Sequence, residues 1–257
     1  MLTLSNVDKR FVDGFLALDQ INLDVSAGEI VVVIGGSGCG KSTLLRVISG
    51  LESATRGAVF VAGHPVTGPG ADVGVVFQEP RLMPWLTVEQ NVRFGLASFS
   101  RDDAKNLAAE ALARVGLSQF AEALPRQLSG GMAQRAAIAR ALVVKPPVLL
   151  LDEPFSALDA FTRLDLQEHL LDLWNWYRPT LLVVTHDIEE ALTLADRIVV
   201  MEGQPGRIAA EVIIDLPRPR TRGNATFNAT REAVLAALGN ARPVDARRSG
   251  EVAPIRL

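Results

Sequence analysis

Three features of this 257-residue chain predict an α/β fold with a mixed, mainly parallel sheet. The first is an apolar run at 30–34, then Gly-Gly-Ser-Gly-Cys-Gly-Lys-Ser at 35–42, then the apolar positions Leu44, Leu45, Val47 and Ile48. That is a strand, a glycine-rich loop and a helix in succession. The second is a series of short apolar runs at 148–151, 181–184 and 198–201. The stretches between them are long enough for helices, which is the spacing of parallel strands joined by helical crossovers. The third is a change of character from about 80 to 145, where helical signals replace strand signals and mark an insertion.

In chain order, residues 2–7, 21–25 and 30–34 read as strands, with Ala27-Gly28 turning into the third. Leu23 and Val25 alternate with Asn22 and Asp24, as in a half-buried antiparallel strand. An N-terminal antiparallel β subdomain is therefore expected. Gly50 stops the loop helix, and 58–62 reads as a further strand. Gly63, Pro65, Gly68, Pro69 and Gly70 form a breaker-rich loop before a buried strand at 73–77. Thr87-Val88-Glu89-Gln90 is a capping box. Ser100 precedes a helix whose face carries Ala104, Leu107, Ala108, Ala111, Leu112 and Val115, and Gly116 ends it. Another helix starts near Ser129. Residues 207–215 read as a last edge strand, ended by Pro217 and Pro219, and 227–238 as a closing helix. The expected organisation is one domain over 1–238, its core at 1–79 and 146–238 and its helical subdomain at about 80–145. A flexible tail at 239–257 follows it. There is no internal repeat.

Apolar residues make up 48% of the chain, enough for a substantial core. Twenty-six basic and 29 acidic side chains leave a net charge of −3 with no long basic stretch, so nucleic acid is not expected as a partner. The single cysteine, Cys39, excludes an internal disulfide and a cysteine-cluster metal site, and suits a reducing compartment. The first five residues lack the basic and apolar regions of a signal peptide. No apolar run approaches the roughly 18 residues that span a membrane. A soluble protein, or one attached to a membrane only through a partner, is expected.

The loop matches the phosphate-binding pattern G-x-x-x-x-G-K-[ST] through Gly35, Gly36, Ser37, Gly38, Cys39, Gly40, Lys41 and Ser42, with Thr43 following. Glycines let successive backbone N–H groups converge on phosphate oxygens, and the following helix start adds its positive end. Lys41 would reach the β and γ phosphates and Ser42 would ligate magnesium. The strand at 148–151 ends in Asp152 and Glu153. Strand ends of open parallel sheets are where ligands bind. There Asp152 is expected to hold magnesium and Glu153 to act as general base on the attacking water. In Leu-Ser-Gly-Gly-Met-Ala-Gln-Arg at 128–135, Ser129 is a good helix cap, and Gly130 and Gly131 leave a helix start that can bind an anion. A glycine turn, an acidic turn and an ordinary capped helix would each explain one of these stretches alone.

The octet at 128–135 resembles the signature motif of the ATP-binding cassette (ABC) family. The phosphate loop and the Asp152-Glu153 pair stand in the family's order around it. The resemblance runs from about 2 to 220 and implies the P-loop NTPase fold, with ATP and Mg2+ as cofactors. It makes Gln78 the switch glutamine that contacts magnesium and the attacking water, and His186 the switch histidine that contacts the γ phosphate. It puts Phe11 on the adenine, where many members have tyrosine. It makes Ser-Ala-Leu-Asp at 156–159 the loop that crosses between subunits. It also implies a head-to-tail homodimer, in which Ser129 serves the ATP held by the other copy.

Within the family, one cassette without a membrane segment resembles an importer ATPase. Leu82, Met83 and Trp85, just after Gln78, fall where importers receive a permease helix. Three stretches are similar to the nitrate, sulfonate and taurine importer group: Arg81-Leu82-Met83-Pro84-Trp85, the run 158–163, and Pro205-Gly206-Arg207-Ile208 followed by 215–220. The ending Leu-Pro-Arg-Pro-Arg at 216–220 is most similar to aliphatic sulfonate importers. The implied setting is the cytoplasmic face of a bacterial inner membrane, peripherally bound. The implied partners are two transmembrane permease subunits and, indirectly, a periplasmic solute-binding protein. A soluble cassette that uses ATP binding as a switch is the other reading.

Overall fold

Eleven strands and seven α-helices are present among residues 1–220, 222–240 and 255–256, which the computed structural model describes. The strands are β1 (Leu2–Arg10), β2 (Leu16–Val25), β3 (Ile30–Gly35), β4 (Arg56–Val61), β5 (His64–Pro65), β6 (Val73–Val76), β7 (Val148–Asp152), β8 (Thr180–Val184), β9 (Arg197–Glu202), β10 (Arg207–Ile213) and β11 (Ile255–Arg256). The helices are α1 (Lys41–Ile48), α2 (Val88–Arg93), α3 (Arg101–Arg114), α4 (Gly130–Leu142), α5 (Ala160–Tyr177), α6 (Ile188–Leu194) and α7 (Ala225–Asn240). Two compact units result, one from 1–70 with 180–257 and one from 71–179.

The first unit carries the expected antiparallel sheet, in the order β2-β1-β4-β5. Along β2, Ile21, Leu23 and Val25 are buried while Asn22 and Asp24 are exposed, the alternation of a strand with one solvated face. Its other strands run β11-β10-β9-β3-β8. There β3 is parallel to both β8 and β9, and β9 is antiparallel to β10. Residues Ile30 to Val33 are all fully buried, as a parallel strand covered on both faces requires. Residues 255–256, within the stretch expected as a tail, pair in parallel with β10, so β10 has a neighbour on each side. The rest of that stretch beyond Asn240 lies outside the described residues.

The Leu-Pro-Arg-Pro-Arg ending has a structural task in this unit. Arg220 donates to the carbonyls of Leu192 and Ala195, each at 2.6 Å, and Arg218 donates to Leu194 O and pairs with Asp196. These are the carbonyls that the end of α6 leaves without helical partners. Burial, with Arg218 beside it, pushes the Arg220 guanidinium down to about 10.

The second unit combines the parallel pair β6–β7 with α2 to α5, so the expected helical segment is present. It extends past 145 because α4, β7 and β6 are packed together. A Cβ on Gly74 of β6 would lie 3.1 Å from Ala141 O and 3.0 Å from the Pro146 ring. The capping box at Thr87 is complete, with Gln90 N donating to Thr87 Oγ1 at 3.2 Å and Thr87 N to Gln90 Oε1 at 2.9 Å. Ser100 and Ser129 cap α3 and α4 as expected, and Asp159 caps α5. Each such cap stabilises a helix by about 1 kcal/mol.

Candidate nucleotide-binding and hydrolysis residues

In the first unit the phosphate loop joins β3 to α1. Gly38 and Gly40 take φ values of 78° and 93°, a left-handed backbone that lets the loop curl and that a side chain would resist. Helices α2 to α6 begin with a side-chain acceptor on their first turn, and Asn224 Oδ1 accepts from Phe227 N at the start of α7. Helix α1 differs, because its N-cap is Gly40 and no side chain caps it. That helix start, framed by glycines, suits a phosphate group.

Lys41 is 8% exposed and folds back over the loop, its Nζ donating to Gly35 O at 2.9 Å and Gly36 O at 2.8 Å. Cys39 is buried with its Sγ 3.8 Å from the same ammonium. Ser42 is exposed at the start of α1. A recess of about 330 Å³ beside the loop is lined by Gly36, Ser37, Cys39, Met201, Glu202 and Gln204. From the β9–β10 turn, Gln204 Nε2 donates to Gly38 O at 3.3 Å. The sequence carried no sign of that contact, since the two residues are far apart in the chain.

His186 stands just beyond β8. Strands β3 and β8 pair in register from Ile30–Leu181 to Val33–Val184, and Thr185 N donates to Val33 O at 3.2 Å. The strand ends that bear the phosphate loop and His186 therefore emerge from the same edge. Phe11 lies in the β1–β2 turn, half-buried, its ring stacked with that of Phe15 at 6.5 Å between centroids. Phe15 is an unanticipated second aromatic, four residues on across a turn through Gly14.

In the second unit, β6 and β7 pair in parallel from Val73–Val148 to Val76–Leu151. The next residues along each strand bring Gln78 to the same edge as Asp152 and Glu153. Glu153 has φ 45°, a left-handed conformation that costs a non-glycine residue energy and marks sites where geometry matters. Its carbonyl accepts from Ser156 Oγ at 3.0 Å.

The loop from Gln78 to Thr87 is held by side chains reaching its backbone. From α4, Gln134 Nε2 donates to Phe77 O at 3.3 Å, and Arg140 donates to Pro80 O at 2.9 Å and Arg81 O at 2.8 Å. Burial lowers the Arg140 pKa. Asn91, fully buried, accepts from Met83 N at 2.7 Å and donates toward the carbonyls of Met83, Leu86 and Thr87. Trp85, at the tip, is 74% exposed.

Ser129 is exposed at the start of α4, its Oγ accepting from Met132 N at 3.3 Å. Gly130 is exposed too, but Gly131 is buried against α5, where a Cβ would come within 2.5 Å of the Thr162 methyl. The hydrogen bond from the Thr162 hydroxyl to Asp159 holds that carboxyl below its ordinary range, helped by the Thr162 and Phe161 amides.

A phosphate loop on a mixed sheet, acidic residues at a parallel strand end and a capped Ser-Gly-Gly helix define an ATP-hydrolysing cassette. The chain belongs to the ABC transporter family, whose model matches residues 18–156. It is 50% identical over 218 residues to the aliphatic sulfonates import ATP-binding protein SsuB 2 of Burkholderia cenocepacia, covering 85% of this chain and 80% of that one. It is 47% identical over 237 residues to the nitrate import ATP-binding protein NrtD of a Synechocystis strain, covering 90% and 89%. The dimeric structure of the ATP-binding cassette MJ0796 in a post-hydrolysis state with ADP and Pi is similar at a TM-score of 0.74 and 35% identity. The match covers 84% of this chain and all of that one.

Proposed function

We propose that this chain is the energy-coupling ATPase of a bacterial importer, bound peripherally at the cytoplasmic face of the inner membrane through two permease subunits. What supports the proposal is the presence of Gln78, Asp152, Glu153 and His186, the residues proposed for hydrolysis, in a cassette that also exposes Trp85 on a braced loop after Gln78. A cassette used only as a binding switch has no need of Glu153 and His186. The relatives' names point to sulfonate or nitrate. The resemblance at 216–220 favours an aliphatic sulfonate over taurine or nitrate, although Arg218 and Arg220 are occupied with α6.

Phosphate oxygens of ATP are received by the backbone N–H groups of 36–42 and by Lys41, which leaves the Gly35 and Gly36 carbonyls to reach them. Phe11 stacks on the adenine. The hydroxyl of Ser42, the carboxylate of Asp152 and the amide oxygen of Gln78 are the hard oxygen donors that magnesium prefers, and these residues would hold it. Magnesium supplies neutralisation of charge on the β and γ phosphates. Glu153 takes a proton from the attacking water, and His186 stabilises the γ phosphate as it transfers. Ser129 and the open start of α4 complete the site of a second copy, so ATP bridges a homodimer and hydrolysis releases it.

Replacing Glu153 by Gln removes the base and keeps the shape. The variant should bind ATP, hydrolyse it at least about 100-fold more slowly, and accumulate as a dimer on size exclusion in ATP. A monomer turning over at the wild-type rate would remove Glu153 from this role. Uptake by vesicles carrying the whole transporter, with ethanesulfonate, taurine and nitrate compared, identifies the solute.

A further inference from the structure

His186 is exposed, yet the residues around it are tied into the interior. Thr185 is 2% exposed and Glu190 is 3% exposed. The Thr185 hydroxyl donates to Glu190 Oε2 at 2.6 Å and accepts from Asp187 N at 3.1 Å. A hydroxyl has one proton. With the Asp187 amide directed at its lone pair, that proton goes to Glu190, so the buried carboxylate decides how the hydroxyl is turned.

The backbone on either side of His186 is anchored to different elements. Before it, Thr185 N donates to Val33 O of β3. After it, Asp187 Oδ1 accepts from Glu189 N at 2.8 Å and Glu190 N at 3.2 Å, which fixes the first turn of α6. The Thr185 hydroxyl joins the two anchors across the histidine. An apolar pair would fill the same space without the cost of burying a hydroxyl and a carboxylate, so packing alone does not account for the choice. A polar pair has direction, which packing lacks.

We infer that Glu190 is a positioning residue for His186. Through the Thr185 hydroxyl it sets the turn on which the imidazole stands, and so governs the rate of γ-phosphate transfer without touching nucleotide. The inference rests on the role of His186 proposed above.

Steady-state hydrolysis by the purified full chain tests it, with melting curves to establish folding. Glu190→Leu should lower kcat about tenfold at an unchanged KM for ATP. Glu190→Gln, which keeps an acceptor oxygen, and Thr185→Ser, which keeps the hydroxyl, should retain most of the rate. Adding Glu190→Leu to His186→Ala should cost nothing further, because both changes remove one function. Where Glu190→Leu does not fold, Glu190→Asp takes its place, since it keeps the charge and withdraws the carboxylate from Thr185. Folded Glu190→Leu, or Glu190→Asp where it takes its place, at the wild-type rate overturns the inference. So does the same fold-loss with and without His186, or a loss confined to KM. If His186→Ala itself hydrolyses at the wild-type rate, the role of His186 falls and this inference with it. If His186→Ala is impaired and the Glu190 variant is not, only the inference falls.

Discussion

Burial holds the His169 imidazole on α5 below the ordinary histidine range. Arg135 pushes it the same way, and Asp165 and Asp172 oppose both. A histidine whose pKa is lower folded than unfolded binds fewer protons in the folded state. Stability is then full above the unfolded value of about 6.5 and falls as pH drops below it toward the folded value. His169→Gln should flatten this dependence, so melting midpoints at pH 7.5 and 5.5 should lie closer together in the variant than in the wild type. Two curves that fall in parallel would show that the slope comes from elsewhere. Lys41 and Ser42 after a glycine-rich loop, and Asp152 and Glu153 at a strand end, stand out in the sequence by residue type and spacing, and the roles proposed for them follow from phosphate and magnesium chemistry. Glu190 does not. In the sequence it is one acid in the first turn of a helix, where acids are ordinary, and only its burial against Thr185 distinguishes it.

The meeting of α4 and α5 shows what can be read at the level of elements. The capped start of α4 is visible in Ser129, whereas Asp159 reads only as part of the loop at 156–159; both side chains accept from the first turns of their helices. Their mutual approach is not visible, since Gly131 and Thr162 are apart in the chain. Threonine is stiff about its first torsion and cannot swing its methyl away freely. Gly131→Ala should therefore cost about 1–3 kcal/mol in overpacking and slow hydrolysis by shifting the start of α4. Thr162→Ser removes the methyl and keeps the hydroxyl on Asp159, so the double variant should recover midpoint and rate. An unchanged midpoint in Gly131→Ala would mean that the contact is slack. The same blindness to distance explains β11, since nothing in the composition of 239–257 announces a partner for β10.

For the whole molecule, the question is how a cassette engages what it drives. None of the described helices is long and apolar enough to cross a membrane. Trp85 is the large apolar side chain exposed nearest Gln78 in sequence. Indole anchors of this kind carry much of an interface's affinity. Trp85→Ala should bind ATP as the wild type does, yet weaken permease capture about 30-fold or more, equivalent to about 2 kcal/mol. Undiminished capture of the permease by this variant would put the docking surface elsewhere. The strands at 2–7, 21–25, 30–34, 73–77, 148–151, 181–184 and 198–201 and the helical insertion were legible, because hydrophobic period is a local property. The grips of Gln134 and Arg140 on the 77–87 loop were not, because each is a side chain meeting a carbonyl about 60 residues away.

Those grips have a consequence for how such a protein can change. Gln134, Arg140 and Asn91 hold the loop only by its main-chain groups. The backbone from Phe77 to Thr87 is thus held from outside the loop, and these hydrogen bonds do not use the side chains of Leu82, Met83 or Trp85. The loop is a socket whose lining can be rewritten while its frame stays put. Grafting another cassette's residues 82–86 onto this chain is then a change of address, made without a change of fold.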